Sequence, residues 1–104
     1  MNTPTTAEIV TFRLNPGVAP EIFTAAAERM TRFLRGTGAM VSRTLSADPD
    51  GLWTDHITWV SHDAALSAAE QMMAQPEAQS FIEMIAPDGV QMRHAAISLY
   101  LPPE

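Results

Sequence analysis

The thirteen residues Trp53–Ala65, WTDHITWVSHDAA, carry two tryptophans, two histidines and two aspartates. Those types support three chemistries. A carboxylate among indoles and aliphatic side chains loses hydration, its pKa rises, and it becomes a general base. Imidazoles beside carboxylates can hold a metal ion. A tryptophan face can stack on an aromatic ligand. Strand parity sorts the residues. In an extended chain Trp53, Asp55, Ile57 and Trp59 share one face, and Thr54, His56, Thr58 and Val60 share the other. The first set is bulkier and is expected to face the core. Asp55 is then the candidate catalytic base; its alternative is an ion pair with Arg43 across a hairpin. Trp59 is either a core residue or the flat wall of a pocket, and its indole N–H needs a partner in both cases. No tight ligand spacing joins the three histidines to Asp55 or Asp63, so no metal site is expected.

The elements that must position these residues follow from periodicity and punctuation. Glu8 to Leu14 alternates, with Val10, Phe12 and Leu14 on one face and Ile9, Thr11 and Arg13 on the other. Residues 1–7, which include Pro4, read as a flexible N-terminal tail, leaving 8–104 as one domain. Pro20 to Arg35 reads as a helix whose apolar stripe holds Ile22, Phe23, Ala26, Ala27, Met30, Phe33 and Leu34. Glycines at 36 and 38 stop it. Ala39 to Ala47 is a weakly patterned strand. Asp48-Pro49-Asp50-Gly51 turns it into a third strand, Leu52 to Val60. Ser61 caps a second helix from His62 to Ala74, with Ala65, Leu66, Ala69, Met72 and Met73 as its stripe. Pro76 opens a short helix to Ile85, and Val90 to Leu101 reads as a long last strand.

The order is β-α-β-β-α-β, an α+β ferredoxin-like arrangement: a four-stranded antiparallel sheet with the helices on one face. The other face needs a cover. Its expected occupants, Ile9, Thr11, Arg13, His56 and His94, are too apolar for a wet face and too polar for a core. A homodimer pairing two such faces explains that mixture, with Tyr100 and Leu101 in reach of the partner. A chain of 104 residues also buries a modest share of its surface alone.

Composition removes other classes. The net charge is −6, with six cationic side chains against twelve acidic ones, which argues against nucleic acid. There is no cysteine, so thiolate chemistry and disulfides are excluded. No apolar run of about 18 residues marks a membrane span. The opening MNTPTTAE has no basic start or apolar core, so a cytoplasmic location is expected. All six cations are arginine, and with abundant alanine this reads as a GC-rich bacterial genome.

The element order, the Ile9–Leu14 strand, the Trp59-Val60-Ser61 step into a helix and the run from Gln75 to Ile85 resemble the antibiotic-biosynthesis-monooxygenase-like group of the dimeric α+β barrel superfamily. The resemblance spans nearly the whole chain. It implies a pocket between sheet and helices, and cofactor-independent oxygenation of aromatic or polyketide-like substrates. Haem-degrading members use an Asn in the first strand, a Trp and a helical His. Here Asn15 falls after the strand and the second helix has no His beyond His62, so haem degradation is disfavoured and no cofactor is expected. On the oxygenase reading Phe12 and Trp59 form the wall of the ligand site, Met30 and Met72 its floor, and Asp55 moves the proton. The alternatives are a non-catalytic binding module, and a structural subunit whose pocket is filled by its own side chains. An ion-paired Asp55 in a closed core favours the last; an open cavity favours the first two.

Overall fold

The computed structural model describes residues 5–103. The elements are β1 (Thr6–Phe12), α1 (Pro20–Gly36), β2 (Met40–Ala47), β3 (Trp53–Trp59), α2 (His62–Met72), α3 (Pro76–Glu83) and β4 (Gln91–Ala96). The four strands form one antiparallel sheet in the order β2-β3-β1-β4, the ferredoxin-like arrangement expected from the element order.

Register fixes the two faces. Glu8 pairs with Ile57 and His94, Val10 with Asp55 and Met92, and Phe12 with Trp53. Paired residues point the same way, so Thr6, Glu8, Val10 and Phe12 share a face with Trp53, Asp55, Ile57 and Trp59. The helices cover this face. Phe12, Phe23, Trp53 and Phe81 make an aromatic core, with Phe23 edge-on to Trp53 at 5.1 Å and stacked on Phe81 at 5.0 Å between centroids. A second cluster joins Leu34, Ile57, Trp59, Ala65 and Ala68.

Local chemistry sets the boundaries. Pro20 opens α1, with Glu21 in its first turn. Ser61 caps α2 by accepting from the Ala64 N–H at 3.0 Å. In the β2–β3 turn the Asp48 carboxylate accepts from the N–H groups of Asp50 (2.9 Å) and Leu52 (3.0 Å), while Gly51 takes φ +86°.

Several boundaries and faces differ from the expected ones. β1 begins at Thr6, and Thr6 and Ala7 are buried, so two residues of the expected tail belong to the sheet; residues 1–4 lie outside the described residues. β4 ends at Ala96 rather than Leu101. Ala96 pairs with Thr6, and the Ile97 N–H reaches the Thr5 carbonyl at 2.9 Å. Tyr100 and Leu101 are exposed and outside any strand. Ile22, Leu66 and Met73, expected on apolar stripes, are exposed, and Ala68 is buried in α2 instead. His94 is not on the uncovered face: its pairing with Glu8 places it on the helix side. Arg13 lies beyond β1 and donates to the Asp50 carbonyl at 2.6 Å. Ile9, Thr11 and His56 do sit on the uncovered face, and His56 is exposed.

Candidate functional site

A cavity of about 360 Å³ lies between the helix-facing side of the sheet and the helices. Phe12, Trp59, Met30, Met72 and Asp55, the five residues expected for a ligand site, all line it. Its walls are otherwise apolar, and its polar groups are Glu8, Asp55 and Arg43. Each comes from a different strand; alternation turns Glu8 and Asp55 toward the helices, and an irregularity in β2 does so for Arg43.

Asp55 is 7% exposed and held by Arg43. The guanidinium donates Nε–H to Oδ1 at 3.0 Å and Nη2–H to Oδ2 at 2.7 Å. Its Nη1 donates to the Ala27 carbonyl (2.7 Å) and to the Thr31 hydroxyl (3.1 Å), and its Cζ lies 6.0 Å from the Phe81 ring centre. Arg43 reaches this face through a bulge in β2. Met40 opposes Trp59 and Ser42 opposes Thr58, so Val41 is the extra residue, and parity beyond it is reversed. The result is a closed ion pair whose charges satisfy each other and tie β2 and β3 to α1.

Glu8 is different, and it is not among the expected site residues. Its side chain is among the few buried polar ones, 7% exposed. The Trp59 indole donates Nε1–H to Glu8 Oε2 at 3.3 Å, which supplies the partner that the indole required. On the other flank His94 Nε2 stands 3.9 Å from Glu8 Oε1. Burial pushes the Glu8 carboxyl above its ordinary value of 4.5 and Asp55 adds to the rise; the Trp59 hydrogen bond, His94 and Arg43 oppose it. Parity could have found this residue. Glu8 alternates in step with Val10 and Phe12, so a carboxylate on the core side of β1 was legible.

His62, at the start of α2, lies against His94 with ring centres 5.1 Å apart and planes at 61°. Among the described residues no three His, Asp or Glu side chains are grouped to hold a metal ion. No helix of the described residues is long and apolar enough to cross a membrane.

No protein-family model and no curated protein sequence match the chain. Solved structures do. SnoaB, a cofactor-independent oxygenase from Streptomyces nogalater, has a TM-score of 0.74 at 20% identity over 97% of this chain and 100% of that one. A Bordetella bronchiseptica protein, assigned provisionally as an antibiotic biosynthesis monooxygenase, has a TM-score of 0.76 at 16% identity, covering 93% and 100%. The hydroxynitrile lyase of Passiflora edulis has a TM-score of 0.62 at 14% identity, covering 95% and 98%. The chain thus has the fold of the antibiotic-biosynthesis-monooxygenase-like proteins. A lyase and an oxygenase share that fold, so the reaction must be argued from the site.

Proposed function

We propose that this protein binds a small fused-ring aromatic ketone or phenol in the sheet–helix cavity and that Glu8 takes its acidic proton. The single observation that carries this reading is a buried, unpaired-by-arginine carboxylate beside the Trp59 indole in an apolar cavity. The volume of about 360 Å³ falls at the lower end of the roughly 300–1,000 Å³ usual for ligand sites. Phe12, Trp59, Met30 and Met72 offer flat or adaptable apolar contacts. The base role first expected of Asp55 passes to Glu8, because both Asp55 oxygens already accept from Arg43.

The chemistry needs no cofactor. A carboxylate takes a proton from an activated C–H, and the delocalised carbanion reacts with dioxygen. The resulting peroxide anion takes up a proton to become a hydroperoxide, which loses water to leave a new carbonyl. For anthrone as probe the sum is anthrone plus dioxygen giving anthraquinone plus water. Likeness of fold to a cofactor-independent oxygenase supports this class, and the buried carboxylate supplies the base that it requires.

We propose further that the working unit is a homodimer through the uncovered sheet face. Ile9 and Thr11 are half-buried there, and the paired positions of that face hold no carboxylate in a chain of twelve acidic residues.

The test is oxygen uptake with anthrone, alongside quenching of tryptophan fluorescence as the binding signal. Glu8→Gln should lower kcat by about 10²–10⁴, the usual contribution of a positioned acid or base, with binding nearly unchanged. Full activity in Glu8→Gln, or no quenching by the aromatic probe, would contradict the proposal.

A further inference from the structure

Glu8 lies deep in the sheet, and a base that works repeatedly must return its proton to water. On one flank the route is closed: Trp59, at 1% exposure, caps Oε2. On the β3 side its neighbour is Ile57, which is buried. With a ligand filling the cavity that Glu8 lines, the β4 side is the open one. β4 is an edge strand, and His94, opposite Glu8, has a side chain 20% exposed. Beyond it, exposed on α2, stands His62.

We propose that His94 is the residue through which Glu8 exchanges its proton with solvent, with His62 as the outer stage. This rests on the reading of Glu8 as the proton-transfer group. The titratable and charged groups acting on Glu8 are His94 from β4, Asp55 from β3 and Arg43 from β2. Asp55 and Arg43 are locked together. That leaves His94 to carry a proton, and imidazole is the side chain suited to do so near neutral pH. On the outward step the Glu8 Oε1–H bond breaks and an N–H bond forms at His94 Nε2. Glu8 is left anionic, and His94 cationic with its other proton on Nδ1. The Nδ1 proton then leaves to water or to His62, and exchange with water resets the tautomer. No electrons are transferred. The 3.9 Å between Nε2 and Oε1 exceeds hydrogen-bond length. Transfer requires a side-chain movement that closes it, and such contacts commonly tighten only in the working complex. His94 is thus a positioning residue that acts through Glu8 and touches no substrate.

The test needs no substrate. In a Trp53→Phe background, or Trp53→Tyr if that variant does not fold, Trp59 fluorescence reports the protonation of the carboxylate it touches. A laser-triggered pH jump then gives the rate at which Glu8 follows the solvent. His94→Gln should slow that rate about tenfold or more, a conservative share of what a positioned proton-transfer group contributes. Added 4-methylimidazole should restore it. A rate unchanged in His94→Gln, or a slowed rate that 4-methylimidazole does not restore, overturns the relay. A Trp59 response that persists in Glu8→Gln overturns Glu8 itself as the titrating group, a separate result from a Glu8-dependent signal indifferent to His94.

Discussion

Two buried carboxylates lie on the same face of one sheet and meet opposite fates. Asp55 lies beside a guanidinium that donates to both its oxygens. Glu8 has an indole N–H and a more distant imidazole, which offset its lost hydration less well. The consequences can be measured. Asp55→Ala leaves Arg43 buried without its counter-charge and should cost about 3–5 kcal/mol in urea unfolding, whereas Arg43→Met combined with Asp55→Leu should recover most of that. Glu8 makes stability depend on pH. Its folded pKa is raised, so the native state binds the proton more tightly than the unfolded chain does. Stability from this group is full below about 4.5 and falls as pH rises through the folded pKa. The stability of the wild type minus that of Glu8→Gln should therefore decline with pH above that point. A flat difference between pH 4 and pH 8, a window spanning roughly the carboxylate range, would mean that Glu8 is not desolvated.

At the scale of elements, caps and parity decide what sequence can reveal. Ser61 at the start of α2 announces itself by type and position, and Ser61→Ala should lower stability by about 1 kcal/mol in thermal unfolding. The Asp48-to-Gly51 turn was equally legible, and so was β3, where bulky and small residues alternate cleanly. The weak pattern of β2 has a physical cause in the bulge at Val41, which breaks alternation midway and turns Arg43 toward the core. Nothing in the local sequence marks that extra residue. The ion pair of Arg43 with Asp55 could be offered as an alternative, but the bulge that permits it could not be read. His94 was misplaced for a related reason. Its face depends on register against β1, a non-local fact, and β4 by itself alternates too poorly to declare one. The five cavity residues were legible because each sits on a strand or helix with clear periodicity.

For the molecule as a whole, the open question of the fold is what covers the second sheet face. Four strands and three helices satisfy one face, and the other carries Ile9 and Thr11 among hydroxyl, imidazole and guanidinium groups. If a second copy covers it, light scattering should give twice the chain mass at micromolar concentration, and Ile9→Glu should halve it by placing charge in the seam. A folded monomer in the wild type would leave the cavity account standing and remove the dimer. The central claim, that Glu8 takes a proton from an aromatic ligand seated against Trp59, is tested most directly without oxygen. Anaerobic exchange of the acidic C–H of anthrone into deuterated water isolates the proton step from everything after it. The account predicts that the wild-type protein accelerates exchange and that Glu8→Gln returns it to the uncatalysed rate while Asp55→Asn, if folded, retains most of it. Exchange that is equally fast in Glu8→Gln, or no acceleration by the wild type, would contradict it.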